Sequence, residues 1–310
     1  MNTLSSTDFL NRAQQTAHHF GFVPLNTLSQ PFRTQKETSA AKASMTDRKL
    51  DALYGTLTSG LAAYFERALD TEKPVLFFSV EEVPRTQEVA FNFHIVGVKK
   101  SIAESLLIQT LRSLIRDLGY QSHSVRINSV GDHDSVTRYT RELTVYLKKH
   151  LESMPPYARE LMKDDVSAAF LHLTDLNHEL CAKSPSPLEY LSDSSRRHFR
   201  EIIEQLDMTT TPYEIDPKLV GHYRCYADTL FALELRDTEG SLLPDAPLTI
   251  RGGRLDAFVK HIFKLDVPAT GAIVILNGKS APKRISQRRR TASPSVFMVQ
   301  LGFGPKIKSL

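Results

Sequence analysis

Apolar side chains recur at helical spacing along much of the chain. Phe9, Leu10, Ala13, Ala17 and Phe20 share one face of residues 6–20, and Leu50, Leu53, Leu57, Leu61, Ala62 and Phe65 share one face of 47–69. Ile102, Leu106, Leu107, Leu111, Leu114, Ile115 and Leu118 form a wider stripe over 101–118, with Gly119 placed to end it. Val136, Tyr139, Leu143, Tyr146 and Leu147 predict a helix over 134–151, broken by Pro155-Pro156. Residues 157–207 read as helical throughout, in pieces divided by Pro185 and Pro187 and most clearly defined at 192–207. Strands are predicted on either side. They fall at 22–28, 75–80 and 89–98, the last two joined by a turn at 84–88 as an antiparallel hairpin. Further strands fall at 122–128, where Val125 and Ile127 alternate with polar residues, and at 211–215, 229–235, 247–250 and 271–276. A helix at 255–263 separates the last two, 296–301 reads as a final strand, and 30–45 reads as a loop. Strand-rich ends around a helical middle predict an α+β sheet domain with a helical insertion.

Composition changes this picture little. The chain has 310 residues, 41% apolar and 24% charged, which excludes collagen-like, coiled-coil and wholly disordered classes. No apolar run approaches the ~18–20 residues of a membrane span, and the first twenty residues lack the apolar core of a signal peptide. Cys181 and Cys225 are too few for a disulfide framework or a four-thiolate zinc site, so a reducing cytoplasm is the expected home. The net charge of +4 says little alone. Its distribution says more: Lys283, Arg284, Arg288, Arg289 and Arg290 crowd one short strip, which reads either as a solvated linker or as a phosphate-contacting strip on RNA. His172, His178 and Cys181 lack a fourth ligand and read as helix residues, so no metal is expected; His18-His19 reads as polar packing on the first helix. No phosphate-binding glycine loop, nucleophile elbow or paired-histidine zinc helix is present.

Several blocks, in order, resemble bacterial histidyl-tRNA synthetases. Ser124-Val-Arg-Ile-Asn-Ser-Val-Gly-Asp132 leads into Tyr139-Thr-Arg-Glu-Leu-Thr-Val-Tyr-Leu147, and Leu188-Glu-Tyr-Leu-Ser-Asp-Ser-Ser-Arg-Arg-His-Phe199 follows. Then come Pro212-Tyr-Glu-Ile-Asp-Pro-Lys-Leu-Val220, Gly252-Gly-Arg-Leu-Asp256 and Pro268-Ala-Thr-Gly271. The resemblance implies a class II aminoacyl-tRNA synthetase-like core over 1–280, an antiparallel sheet flanked by helices, with a helical insertion at about 152–207. It also implies a homodimer formed through residues 8–28. Residues 281–294 become a basic linker, and 295–310 resemble the first strand of an anticodon-binding domain.

Adenylate chemistry needs cations on the ATP α-phosphate and acceptors for the amino acid's ammonium group. The resemblance implies where these groups should stand. Arg85 matches the arginine closing the family's first hairpin strand, although Pro84 replaces the aromatic before it. The family's R-P-E-x-T segment falls on Tyr54-Gly-Thr-Leu-Thr58, leaving Thr58 alone unchanged. Its F-x-Q-x-G-x-E strand falls on Phe93-His-Ile-Val-Gly-Val-Lys99, so the glutamine has become Ile95 and the glutamate Lys99. The signature L-V-R-G-L-D-Y-Y falls on Leu219-Val-Gly-His-Tyr-Arg-Cys-Tyr226: the phosphate-contacting arginine has become Gly221, while Tyr226 persists. The last glutamate and arginine land on Asn277 and Gly278. The candidates are therefore Arg85 for ATP, Thr58 and Tyr226 as remnants of the amino-acid pocket, and Arg284, Arg288, Arg289 and Arg290 for RNA. Scaffold residues persist and ligand-holding residues do not, so the expected function is a non-catalytic, dimeric binding or regulatory module. Two alternatives stand beside it. One is an active, ATP-dependent histidine–tRNA ligase with relocated ligands. The other is an RNA-binding module. The expected partner is tRNA or another protein; a membrane is not expected.

Overall fold

The computed structural model describes residues 5–28, 49–66, 73–83, 88–120, 122–221, 225–236, 243 and 246–277. The predicted loop at 30–45, the turn after Val83, the basic strip and the final strand lie outside the described residues.

The first helix, α1 (Ser6–His19), starts where the Ser5 hydroxyl accepts the Asp8 amide at 3.0 Å, and buries Phe9, Ala13, Thr16 and Ala17. The strand expected at 22–28 is shorter than predicted. Only Val23–Pro24 (β1) pairs, in parallel with the next strand, and Leu25–Thr27 is a 3-10 turn. Pro24 has no N–H to continue a ladder. Helix α2 (Lys49–Glu66) precedes the hairpin β2 (Val75–Glu82) and β3 (Val89–Val96), which is antiparallel as expected. Helix α3 (Ile102–Asp117) ends at Gly119, whose φ of 99° is the left-handed conformation that a helix stop favours. Strand β4 (Ser122–Gly131) leads into α4 (His133–Lys149).

The helical middle comprises α5 (Pro156–Asp164), α6 (Val166–Asp175), 3-10 turns at Glu179–Lys183 and Pro187–Tyr190, and α7 (Asp193–Met208). The chain then returns to the sheet through β5 (Tyr213–Ile215), β6 (Ala227–Arg236) and β7 (Leu248–Arg254). Helix α8 (Asp256–Phe263) and strand β8 (Ala269–Leu276) complete the described fold.

The sheet has the order β1-β2-β3-β8-β7-β6-β4-β5. The six inner strands are antiparallel and the two short outer ones pair in parallel, so the sheet is mixed rather than purely antiparallel. Strand β8 lies at its middle with every residue buried, which is why its sequence reads as a near-continuous apolar run.

One face of the sheet, with Phe78, Phe91, Phe93, Ile95, Phe231 and Val274, packs in one apolar cluster with residues of α1, α3 and α7. The other face, with Phe77, Leu230, Ile273 and Ile275, packs with α2 and α8 through Leu57, Leu61, Tyr64 and Val259. A third cluster joins α4, α5 and α6, including Tyr139, Leu143, Ala158 and Phe170, and reaches Val220. Within the stretch read as an insertion, α7 is set apart from that third cluster: its Phe199, Ile202 and Leu206 belong to the sheet core.

Candidate functional site

Of the residues matched to ligand-holding positions, Thr58 and Tyr226 lie on the α2 side of the sheet. Helix α2 approaches β2 and β3 closely at Gly60, where a Cβ would lie 2.5 Å from the Ser79 hydroxyl and 3.2 Å from His94 Nε2. Beneath it, Tyr64, Phe77 and His94 form a continuous ring stack, with centroids 5.0 and 4.9 Å apart. His94 is fully buried and neither ring nitrogen has a partner among the described residues. Burial alone drives its pKa down to about 3, so the ring is neutral at physiological pH.

A polar cluster continues along the same face. Asn92 donates to the Thr56 carbonyl at 3.1 Å and approaches the Glu81 carboxylate at 3.4 Å. Ser79 donates to Glu81 at 3.1 Å, and the Ser59 hydroxyl also bonds to it. Burial raises the Glu81 pKa, and these three donors only partly counter the shift. Sequence reasoning did not single out this cluster. Its signal was the two-residue spacing of Ser79 with Glu81 and of Asn92 with His94 on strands that are mostly apolar.

The signature segment closes this face near β6. Gly221 is the decisive position: a Cβ there would lie 2.4 Å from the Tyr226 ring and 2.6 Å from Leu230. Tyr226 is buried, and its ring also sits 2.9 Å from where a Gly253 Cβ would be. Two small cavities border the segment. One, of about 20 Å³, is lined by Val130, Val136, Tyr139, Leu143, Phe170 and Val220; the other, of about 10 Å³, includes Leu219, Tyr226 and Arg251. Such volumes suit a water or two.

The predicted residues fare differently. Thr58 is buried on α2 and donates to the Gly55 carbonyl of its own helix at 3.3 Å. Ile95 faces the opposite core, among residues of α1 and α3. Lys99 is exposed beyond the end of β3. Asn277 ties the end of β8 to β7, donating to the Ala246 carbonyl at 2.8 Å while its amide bonds to Pro247. Arg85, Gly278, Arg284, Arg288, Arg289 and Arg290 lie outside the described residues. His172 packs edge-on against Tyr157, and the His178 ring caps a 3-10 turn by accepting the Leu180 amide at 3.3 Å.

A second unpredicted cluster lies on the other side of the sheet. Arg254, 1% exposed, forks onto Glu104 at 2.8 and 3.0 Å, and His198 reaches the same carboxylate at 2.7 Å. Burial would raise the Glu104 pKa, but Arg254 and His198 hold it below its usual value.

Comparison with known proteins agrees with this fold. The chain is 28% identical over 185 residues to the histidine–tRNA ligase of Acholeplasma laidlawii, covering 60% of this chain and 43% of that protein. It is 30% identical over 183 residues to that of Fervidobacterium nodosum, covering 58% and 41%. The apo histidyl-tRNA synthetase of S. aureus superposes with a TM-score of 0.61 at 14% identity, over 89% of this chain and 70% of that one. This chain is a relative of the histidyl-tRNA synthetases. The fold is α+β, of the class II aminoacyl-tRNA synthetase type. A Bacillus halodurans C protein described as an ATP phosphoribosyltransferase regulatory subunit/histidyl-tRNA synthetase also shares the fold, with a TM-score of 0.50 at 14% identity over 89% of this chain and 79% of that one. No family model matches the chain. The matched stretch spans under half the length of these two synthetases. Among the described residues, no helix is long and apolar enough to cross a membrane.

Proposed function

We propose that this relative of the histidyl-tRNA synthetases is non-catalytic, and that it works in the cytoplasm as a homodimeric binding or regulatory module with tRNA or a protein as its partner. The observation that carries this reading is Gly221. The position that the resemblance gives to a phosphate-binding arginine has no room for a side chain, because Tyr226 and Leu230 occupy the space. Further support comes from Ile95, which offers no acceptor, and Lys99, whose charge would repel an ammonium group. Losing one aligned donor to a transition-state anion typically costs ~3 kcal/mol, and two matched arginines, at Gly221 and Gly278, are replaced here. The fold neighbour described as an ATP phosphoribosyltransferase regulatory subunit/histidyl-tRNA synthetase is compatible with such a role. ATP would enter only under the ligase reading.

The test is ATP–pyrophosphate exchange with histidine on the full chain. We expect no exchange above background; sustained turnover would overturn the proposal and restore the ligase reading.

A further inference from the structure

Helix α7 carries the chain from the helical middle back to the sheet, and it is fastened along its length. At its start, Ser192 caps α7 by accepting the Ser195 amide at 3.2 Å, and donates to the Asp132 carboxylate at 2.6 Å. Asp132 in turn caps α4 by accepting the Ser135 amide at 3.0 Å, while its own amide donates to the Ser195 hydroxyl at 3.0 Å. The Ser192 amide donates to the Ser135 hydroxyl at 2.9 Å, so the two helix starts cap each other and neither shifts alone. Near its end, Gln205 donates to Ser101 at 3.0 Å.

Between these points stands His198. A carboxylate only accepts, so the imidazole must donate to Glu104 from Nε2. The charged groups around His198 are Glu104 from α3, Arg254 from β7 and Asp228 from β6; strand β4 contributes Val125 and Ile127 to the same core. Arg254 also reaches Asp256, at the start of α8, at 3.3 Å.

We propose that His198 and Glu104 form a proton-dependent latch holding α7, and through the shared caps α4 and the helices packed on it, in place against the sheet. Burial alone would lower the His198 pKa, but the hydrogen bond and charge of Glu104 more than offset this and raise it above its usual 6.5. The latch therefore contributes fully below about pH 6.5 and weakens as pH rises through the raised value. The neutral ring still donates from Nε2 but loses the charge assistance. The helices packed on α4 border Val220 and Gly221, so a proton at His198 governs how firmly that crevice is closed.

Hydrogen exchange on the full chain between pH 6 and 8.5, corrected for intrinsic rates, tests this. Amides of α7 should lose protection by about threefold or more as pH rises, and His198→Gln should remove the trend. An unchanged trend in the variant, or a flat profile in the native chain, would overturn the latch. A second measurement needs no variant: with ring-labelled histidine, NMR should show one of the 11 histidines titrating above the usual range. If all of them titrate at or below about 6.5, the proposal is wrong.

Discussion

The two faces of the sheet treat buried polar groups in opposite ways. On the α3 side, Arg254 meets Glu104 through paired hydrogen bonds, and His198 adds a third contact to the same carboxylate. On the α2 side, the described partners of Glu81 are hydroxyls and an amide, and the His94 nitrogens have none. A buried charge is tolerated where an opposite charge and donors compensate its desolvation, and a neutral ring can be buried as an apolar filler. The α3 side is thus organised around retained charge. The α2 side, where Thr58, Gly221 and Tyr226 lie, is organised around packing.

The sharpest way to break this contrast is Arg254→Met. It leaves Glu104 buried with His198 as its remaining charged contact and should destabilise the chain by about 3–5 kcal/mol in chemical denaturation. A loss below about 1 kcal/mol would mean that the pair is not what secures this face. Gly221→Arg probes the other side. The new side chain must displace Tyr226 or Leu230, so a destabilisation of about 1–3 kcal/mol is expected, without any gain in ATP binding by calorimetry. Binding without loss of stability would show that the crevice still opens for nucleotide. The smallest effect is expected for His94→Phe. Removing two orphaned nitrogens while keeping the stack on Phe77 should raise stability by about 1 kcal/mol, read from the denaturation midpoint. A clear loss would point to an unseen partner for the imidazole.

Much of the fold was legible in the sequence because it rests on local signals. The stripe over 101–118, the stop at Gly119, the hairpin and the break at Pro155-Pro156 all follow from spacing and backbone chemistry. The strand at 22–28 was overestimated, since apolar composition is a weaker constraint than the missing N–H of Pro24. The candidate site was less legible. The loss of an arginine at Gly221 could be read from residues alone, but the closing of its space by Tyr226 and Leu230 depends on side-chain packing. Arg254 stood inside a block that carried the resemblance, yet its partner Glu104 lies far away in the chain, and no spacing rule connects the two. Thr58, chosen as a pocket remnant, bonds to its own helix, which a residue-by-residue match does not reveal.

The outermost strands bear on how copies of this chain can meet. Among the described residues, Val23–Pro24 and Tyr213–Ile215 are the margins of a broad sheet, and both are only a few residues long. Among the described residues these two margins therefore offer only short ladders of their own, and the proline at one of them removes a donor. Growth of strand upon strand is disfavoured at these two short margins.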